Sequence, residues 1–340
     1  MAHRTFVIAE IGVNHNGDLD TAHRLIDVAL EAGADSAKFQ TFTADTIVAH
    51  GTDSVAYQKR GGDNLDQYEL LKSLELSMEH HRSIVDYCNA AGIEFMSTAF
   101  DLASMDLLLD LGVRRLKIPS GEITNTPLVQ KAARTGLPLI ISTGMAELAE
   151  VAETIEDVRA ARDAGSMDNV TVLHCTSSYP APPSDINLLA MSRMAEEFGL
   201  PVGYSDHSEG IWMAPLAVAA GATMIEKHIT LDRTMRGPDH AASIEPGELR
   251  QMISDIRRVE TVLGDGVKAP MASELEARRL VRKGIKFARD LPAGHVITEA
   301  DIAILRPDTG LAPRLFGSLL GKSLSNDVKA LKPVTDQDLD

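Results

Sequence analysis

Short apolar, β-branched runs alternate with longer amphipathic stretches over most of the chain, from Phe6 to about residue 265. The alternation of the short runs with helical stretches predicts successive β-strand and α-helix pairs. The predicted strands cover 6–11, 36–40, 94–98, 115–120, 138–143, 170–175, 202–207 and 224–229. Helical periodicity is clearest over 19–32, 80–91 and 147–164. Eight such pairs in this length predict an α/β fold, a (β/α)8 TIM barrel, with an open doubly wound sheet as the alternative.

The pattern changes beyond residue 265. Residues 266–283 are polar and predict a linker, and residues 284–340 form short strand-like runs separated by Pro-Ala-Gly and Asp-Thr-Gly turns. We therefore expect a barrel domain over 1–265, a linker over 266–283 and a small β-rich domain over 284–340. A module of this size buries little apolar surface by itself, so we expect it to dock on another surface.

The connection between residues 43 and 77 is long and polar for a barrel loop. Loops of such length usually carry function or mobility. It is interpreted either as a lid over the barrel mouth or as a surface insertion without a role.

Composition and charge narrow the class of partner. The chain has 340 residues, 44% of them hydrophobic, and a formal net charge of -16, which disfavours nucleic acid or an anionic membrane as the main partner. The first residues lack the pattern of a secretory signal, and the apolar stretch over 211–225 is too short and interrupted to span a bilayer. Two cysteines cannot form a disulfide framework. We expect a cytoplasmic enzyme.

Polar residues occur at the carboxyl ends of the predicted strands, where barrel enzymes build their active sites. Residues two apart in a strand share a face, so each strand end projects a pair of side chains together. These pairs are Lys38 with Gln40, Ser205 with His207, and Glu226 with His228. Further polar residues at strand ends are Glu10, Lys117, Ser120, Ser142 and Cys175.

Two histidines on successive strands, His207 and His228, are one strand spacing apart. They could hold a divalent metal, or they could be ordinary hydrogen-bonded side chains. Without clustered cysteines, two imidazoles completed by substrate oxygens would favour Mn2+ or Mg2+ over structural zinc.

Lys38 and Lys117 fall at the same end of the barrel as a set of serine hydroxyls. Positive charge with many donors suits phosphate and carboxylate groups. The serines are Ser120, Ser142, Ser177 and Ser205. In the alternative interpretation the two lysines form stabilising ion pairs with Glu10 and Glu122.

Eight segments in order along the chain resemble the sialic acid (N-acetylneuraminate) synthase family. They are AEIGVNHNG (9–17), KFQTF (38–42), KIPSGEITN (117–125), STGM (142–145), HCTSSYPAP (174–182), GYSDHSEG (203–210), EKHITLDR (226–233) and GPDHAAS (237–243). From about residue 284 the chain also resembles that family's antifreeze-like module, a β-clip fold named SAF.

The resemblance implies condensation of phosphoenolpyruvate with an N-acylated mannose-type sugar and water, with release of phosphate. It implies a divalent metal, Mn2+ or Mg2+, and a domain-swapped homodimer in which the small module of one subunit covers the barrel mouth of the other.

The resemblance also assigns roles to individual residues. His207 and His228 would be metal ligands, and Glu122 would be the acid/base. The phosphoenolpyruvate site would comprise Lys38, Lys117, Ser120, Ser142, Ser205 and, where some relatives carry Asn, Ser177. The sugar contacts would be Glu10, Gln40, Tyr179 and Asp239, with Arg306 of the partner subunit reaching the N-acyl group.

Three activities of one reaction type fit these residues. The first is N-acetylneuraminate synthesis from N-acetylmannosamine. An alternative is N,N'-diacetyllegionaminate synthesis from a 2,4-diacetamido-2,4,6-trideoxymannose, and the quoted motifs do not separate the two. A third is another phosphoenolpyruvate-dependent keto-acid synthase, which would use a phosphorylated aldehyde and lack the C-terminal module.

Overall fold

A closed parallel barrel forms the first compact unit of the computed structural model, which describes residues 4–52 and 66–340. In this part of the chain the strands pair in sequence order, and β8 pairs back on β1. The strands are β1 (Phe6–Gly12), β2 (Ser36–Thr41), β3 (Glu94–Ala99), β4 (Leu116–Ile118), β5 (Leu139–Ser142), β6 (Val170–Cys175), β7 (Val202–Asp206) and β8 (Met224–His228). Because β8 closes on β1, the predicted TIM barrel is confirmed and the open sheet is excluded.

Helices follow the strands and cover the barrel. They are α1 (Leu19–Ala32), α2 (Ala44–Ile47), α3 (Gln67–Leu74), α4 (Met78–Ala91), α5 (Leu102–Asp110), α6 (Thr126–Arg134), α7 (Leu148–Ala161), α8 (Leu189–Phe198), α9 (Met213–Ala219) and α10 (Pro246–Leu263). Helix α1 has the predicted bounds because Asp18 caps its first turn and Gly33, with φ 85°, ends it. Helix α4 begins two residues before the predicted start because Ser77 is its N-cap.

The barrel interior is apolar at its amino end. Ile8, Met96, Ile140, Leu173 and Met224 form a buried cluster there. The inward positions nearer the carboxyl ends of the strands are polar, beginning with buried Glu10, Lys38 and Lys117. The apolar cluster therefore fills the barrel interior on the amino side of the polar side chains.

The long connection after β2 contains α2 and α3 and packs over one side of the barrel mouth. Val13, Phe42 and Leu74 form a small buried apolar cluster with partly buried neighbours from both helices. The central residues of this connection, 53–65, lie outside the described residues, and the lid interpretation of residues 43–77 remains untested.

The second compact unit covers Gly266–Asp340. Its elements are α11 (Leu275–Val281), the antiparallel strands β9 (Gly284–Phe287) and β10 (Ile302–Leu305), and α12 (Phe316–Leu319). It has an apolar core of its own, with Ile285, Phe287 and Val334 fully buried. Helix α11 lies within the predicted linker, because Glu274 caps the preceding turn and no Gly or Pro interrupts the sequence up to Val281.

The second unit repeats one local motif. Thr298 donates backbone and side-chain hydrogen bonds to Asp301 at 2.9 and 2.6 Å. Thr335 does the same to Asp338 at 3.0 and 2.8 Å. The Asp301 carboxylate is fully buried and also accepts hydrogen bonds from two further side chains. These donors hold the pKa of Asp301 well below its usual range, although burial opposes them.

A left-handed residue precedes each copy of this motif. Gly294 has φ 74° and Leu331 has φ 65°. Glycine adopts this conformation without steric cost, whereas a leucine is strained in it. The Leu331 side chain is 64% exposed, so little burial offsets that strain.

None of the helices in the described part of the chain combines the length and apolar character needed to cross a membrane.

Candidate active site

The predicted site residues of the barrel converge on one cavity. Its volume is about 440 Å3, and it opens at the carboxyl ends of the strands. The predicted residues that line it are Glu10, Lys38, Gln40, Lys117, Ser120, Glu122, Ser142, Ser177, Tyr179, Ser205, His207, His228 and Asp239. Thr98, Cys175 and Glu226 also line the cavity, although no role was assigned to them from the sequence.

Strand alternation explains this convergence. Ser205 lies opposite Glu226 in the β7–β8 register, and Glu10 lies opposite Lys38 in the β1–β2 register. Side chains at these positions share the inner face of the barrel. Two residues later, where β7 and β8 end, His207 and His228 follow on the same face.

Two lysines and two glutamates form a buried chain of opposite charges at the base of the cavity. Lys38 Nζ lies 2.7 Å from Glu10 Oε2 and 3.6 Å from Glu226 Oε2. Lys117 Nζ donates to both oxygens of Glu226, at 2.9 and 2.8 Å, and Ser205 Oγ donates to Glu226 Oε1 at 2.9 Å. We call Glu10, Lys38, Glu226 and Lys117 the charged tetrad. With both lysines and both glutamates ionised, its net charge is zero.

The alternative interpretation of the lysines is therefore half right. Lys38 pairs with Glu10, but the partner of Lys117 is Glu226 and not Glu122. Glu122 lies in the turn after β4, and its Oε2 accepts a hydrogen bond from Asn125 Nδ2 at 2.7 Å.

The two glutamates of the tetrad differ in their pKa values. Burial raises the pKa of Glu10 to about 7, and the neighbouring charge of Lys38 only partly opposes it. Burial also acts on Glu226, but Lys117 and Lys38 outweigh it and hold the pKa of Glu226 well below its usual range. Glu226 is consequently ionised at neutral pH, whereas burial favours the neutral form of Glu10.

Small polar side chains surround the cavity next to the tetrad. Ser120 Oγ accepts a hydrogen bond from the backbone N–H of Gly144 at 2.9 Å and lies 3.2 Å from Cys175 Sγ. Ser142 Oγ is buried with no hydrogen-bond partner in the described ranges. A methyl group on Gly144 would lie 2.3 Å from Ser177 Oγ and 2.7 Å from Cys175 Sγ. The missing side chain of Gly144 thus leaves space for hydroxyl groups that can donate to an anion.

The two histidines meet at the cavity wall with their ring centroids 5.6 Å apart. His207 Nδ1 lies 2.8 Å from the carbonyl oxygen of Thr176. Because that oxygen can only accept, Nδ1 carries a proton. Burial lowers the pKa of His207, but the hydrogen bond to Cys175 and the charge of that thiolate outweigh burial, so its pKa is raised. His228 Nδ1 is buried without a hydrogen-bond partner among the described residues, and Asp239 Oδ2 is 3.8 Å from it. Burial lowers the pKa of His228 well below its usual value and raises that of Asp239 to about 6.

These features fit a divalent cation held partly by non-protein ligands. Imidazoles bind metal ions in their neutral form, which burial favours for His228. Across residues 4–52 and 66–340, no set of three or more His, Cys, Asp or Glu side chains is grouped to hold a metal ion. The remaining ligands would therefore be water or substrate oxygens.

Tyr179 lies beside both imidazoles, with ring centroids 4.1 Å from His207 and 5.7 Å from His228. Gln40 Nε2 donates to Glu10 Oε1 at 3.2 Å. Arg306 lies in the second unit, directly after β10, and is exposed. Its role toward a sugar stays a prediction.

An apolar surface forms another part of the cavity lining. Its residues come from the ends of β1, β2 and β3 and from α2 and α3. They are Val13, Phe42, Ile47, Leu70, Leu71, Leu74 and Phe100, and we call them the apolar wall. The hydrophobic periodicity of residues 67–74 could have indicated a buried face here.

Known proteins share this chain's sequence over nearly its whole length. The NeuB family model matches residues 25–268, and the SAF domain model matches residues 282–340. The N,N'-diacetyllegionaminic acid synthase of Legionella pneumophila is 51% identical, over 96% of this chain and 92% of its own length. The synthase of the same description from Campylobacter jejuni is 41% identical, over 96% of this chain and 97% of its own length.

A solved structure agrees with the sequence comparison. The N-acetylneuraminic acid synthetase of Leptospira borgpetersenii, crystallised with citrate, superposes with a TM-score of 0.71 at 36% identity, over 81% of this chain and 90% of that one. The resemblance drawn from the eight segments is confirmed. The chain therefore belongs to the NeuB family, carries a SAF domain, and is an enzyme of the type that uses phosphoenolpyruvate to form a carbon–carbon bond in sialic acid-type synthesis.

Proposed function

We propose that this enzyme condenses phosphoenolpyruvate with a 2,4-diacetamido-2,4,6-trideoxymannose and water, giving N,N'-diacetyllegionaminate and phosphate. The observation that carries the proposal is the identity to two N,N'-diacetyllegionaminic acid synthases, 51% and 41% over nearly the full lengths. Identity to the N-acetylneuraminic acid synthetase structure is 36%. Synthesis of N-acetylneuraminate, the first of the activities that fit the sequence, becomes the alternative.

The apolar wall supports this choice of sugar. The trideoxy sugar has a methyl group at C6 and a second acetamido group at C4, where N-acetylmannosamine has hydroxyls. Packing methyl groups against Phe42, Leu71 and Phe100 removes apolar surface from water, whereas burying unpaired hydroxyls there would be unfavourable.

Phosphoenolpyruvate would bind at the charged tetrad and the neighbouring serines. Lys38 and Lys117 supply charge, and the hydroxyls of Ser120, Ser142 and Ser177 supply donors for its phosphate and carboxylate. In the reaction, C3 of phosphoenolpyruvate forms the new bond to the aldehyde carbon, and the aldehyde oxygen takes a proton. Water adds to C2, and the C2–O bond to phosphate breaks. Glu122, at the cavity wall, is the proposed group that handles these protons.

We further propose that His207 and His228 bind Mn2+ or Mg2+. A divalent cation at this place supplies Lewis-acid polarisation of the aldehyde. Tyr179, Gln40, Glu10 and Asp239 would hold the sugar beside it. Oxygen ligands from the substrate suit these two hard cations.

The substrate assignment is tested by steady-state kinetics with both sugars. The purified chain is assayed with phosphoenolpyruvate, Mn2+ and either sugar, following phosphate release and identifying the product by mass spectrometry. We expect kcat/KM for the diacetamido sugar to exceed that for N-acetylmannosamine by about tenfold to a hundredfold, the range by which an apolar surface rejects an added hydroxyl or a missing methyl group. Equal or higher efficiency with N-acetylmannosamine would establish the alternative, and turnover only with a phosphorylated aldehyde would overturn both.

We also propose that the chain forms a domain-swapped homodimer, with a barrel over 1–265, a linker over 266–283 and a SAF domain over 284–340. The compact units Met1–Asp265 and Gly266–Asp340 and the matched ranges 25–268 and 282–340 support these bounds. In such a dimer, Arg306 of the partner subunit would contact the sugar.

A mixing experiment tests this arrangement. H207A and R306A are each expected to be nearly inactive with the sugar. The two variants are then dissociated and reassociated together. If the dimer is swapped, each mixed dimer contains one intact site of two. Because about half of the dimers are mixed, the sample should regain about a quarter of wild-type activity. If mixing restores nothing although mixed dimers form, Arg306 acts within its own chain or not at all.

A further inference from the structure

Strands β7 and β8 are joined by a buried ion pair on their outer face. Asp206 lies opposite Lys227 in the strand register, and both side chains are fully buried. Lys227 Nζ donates to Asp206 Oδ2 at 3.0 Å. Because side chains alternate along a strand, the two residues point away from the cavity. They therefore contact neither the cavity nor a substrate within it.

The same pair fixes the backbone around His207. Asp206 Oδ1 accepts hydrogen bonds from the backbone N–H of Ser208, at 2.9 Å, and from its hydroxyl, at 2.6 Å. Lys227 Nζ also donates to the carbonyl oxygen of Ser208 at 2.6 Å. His207 stands between the two residues that are held, so its main chain is restrained on both sides.

Lys227 has the matching position on the neighbouring strand, directly before His228. One ammonium group thus connects the main chain that carries His228 to the main chain that carries His207. Further backbone bonds hold each histidine at its carbonyl, from Ala181 N to His207 O and from Ile244 N to His228 O, both at 2.9 Å. Beyond the backbone pairing of β7 with β8, the cross-strand ion pair is a side-chain link between the segments that carry the two histidines.

Stability alone gives a poor account of this pair. Replacing a buried ion pair by uncharged residues of similar size is often neutral or stabilising, because two charges must be desolvated to bury it. Uncharged residues of the same size could not form the hydrogen bonds from Lys227 to Asp206 and Ser208 that restrain the main chain around His207. Groups outside the coordination sphere that orient metal ligands commonly change metal affinity when they are replaced.

We propose that Asp206 and Lys227 are positioning residues that set the separation of His207 and His228, and so the affinity of the site for a divalent cation. This inference rests on the proposed metal site. The pair acts through the two histidines and takes no part in the chemistry.

The test is the Mn2+ dissociation constant of the full-length D206N/K227M variant, measured from the free-Mn2+ electron paramagnetic resonance signal without substrates. This variant keeps the side-chain oxygen that accepts from Ser208 and removes only the cross-strand link. We expect Mn2+ binding to weaken by about 10- to 100-fold. We also expect the d–d absorption of bound Co2+ to change, because the two ligands are no longer held at one separation.

A matched control is the E94Q/R115M variant. Arg115 bridges to Glu94 at 2.6 and 3.0 Å and also joins neighbouring strands, but at the amino end of the barrel. Its Mn2+ dissociation constant should stay within about twofold of the wild type, since no metal ligand is near it. Circular dichroism confirms that each variant is folded at the temperature of measurement. If D206N/K227M is unfolded there, a second uncharged variant, D206N/K227L, is used with the same expected weakening, because a single substitution would leave a buried charge unpaired.

Unchanged Mn2+ affinity and Co2+ spectrum in a folded variant lacking the pair would overturn the positioning role. H207A separates this result from failure of the metal site. If H207A binds Mn2+ as tightly as the wild type, the proposed metal site is wrong. If H207A loses binding while D206N/K227M keeps it, only the positioning role is wrong.

Discussion

Replacing Glu226 with glutamine perturbs the charged tetrad with almost no change in shape. In the wild type, the carboxylate of Glu226 balances Lys117 at 2.8 Å and Lys38 at 3.6 Å. After E226Q, two buried ammonium groups share the single carboxylate of Glu10. The perturbation therefore leaves one unbalanced positive charge among buried side chains.

The expected cost follows from the burial of these groups. Removing one partner of a buried ion pair typically costs about 3–5 kcal/mol of unfolding free energy. Glutamine can still accept hydrogen bonds from Ser205 and Lys117, so we expect the lower end, about 3 kcal/mol. The same charge should attract phosphoenolpyruvate. If its dissociation constant falls tenfold, the ligand stabilises E226Q by about 1.4 kcal/mol more than it stabilises the wild type.

Urea denaturation with and without saturating phosphoenolpyruvate measures both quantities. The control is E197Q, which removes an exposed ion pair with Arg193 on α8 and should cost no more than about 0.5 kcal/mol. Two results would refute the charge imbalance: E226Q as stable as E197Q, or phosphoenolpyruvate stabilising E226Q less than the wild type.

Three further changes test other parts of the structure. G144A should weaken phosphoenolpyruvate binding by about tenfold or more, because its methyl group would occupy the space between the serines. Calorimetric titration measures the dissociation constant. The control is G247A, where a methyl group meets open space. L331G should raise the free energy of unfolding by about 0.5–1 kcal/mol, since relief of the left-handed strain exceeds the added chain entropy of glycine; a lower midpoint in urea would contradict this. D301N should lower stability at neutral pH, and the gap to the wild type should narrow below about pH 4. A carboxylate with a depressed pKa contributes its full stability only above the unfolded value of about 3.9 and loses it as the pH falls through the folded pKa. Thermal melts below about pH 4 in which the gap widened would contradict this.

The sequence predicts the barrel and the direction of its cavity-lining side chains because both depend on local periodicity. Lys38 and Gln40 are two residues apart in one strand, and so are Ser205 and His207, so each pair shares a face wherever the strand lies. The predicted positions of the strand ends were less accurate. Strand β4 is shorter than predicted, since Pro119 cannot donate to a neighbouring strand and the chain turns there.

Contacts across the barrel were beyond the reach of local patterns. The partner of Lys117 on β4 is Glu226 on β8, and which inward side chains meet depends on strand tilt and stagger around the closed barrel. The alternation had indicated that Glu226 points inward, but nothing in its own segment identified the lysine it contacts. The apolar wall was missed for a similar reason, because it combines residues from separate strands and loops.

The alternation of side chains along β7 and β8 limits how these strands can evolve. The consecutive residues Ser205, Asp206 and His207 face in, out and in, and Glu226, Lys227 and His228 do the same. Inserting or deleting one residue in either strand would turn its histidine toward the helices and its member of the Asp206–Lys227 pair into the cavity. A point substitution here changes one side chain at a time, whereas a one-residue insertion or deletion would misplace the histidine, the tetrad glutamate and the buried ion pair together. Length variation among related enzymes should therefore be confined to the loops.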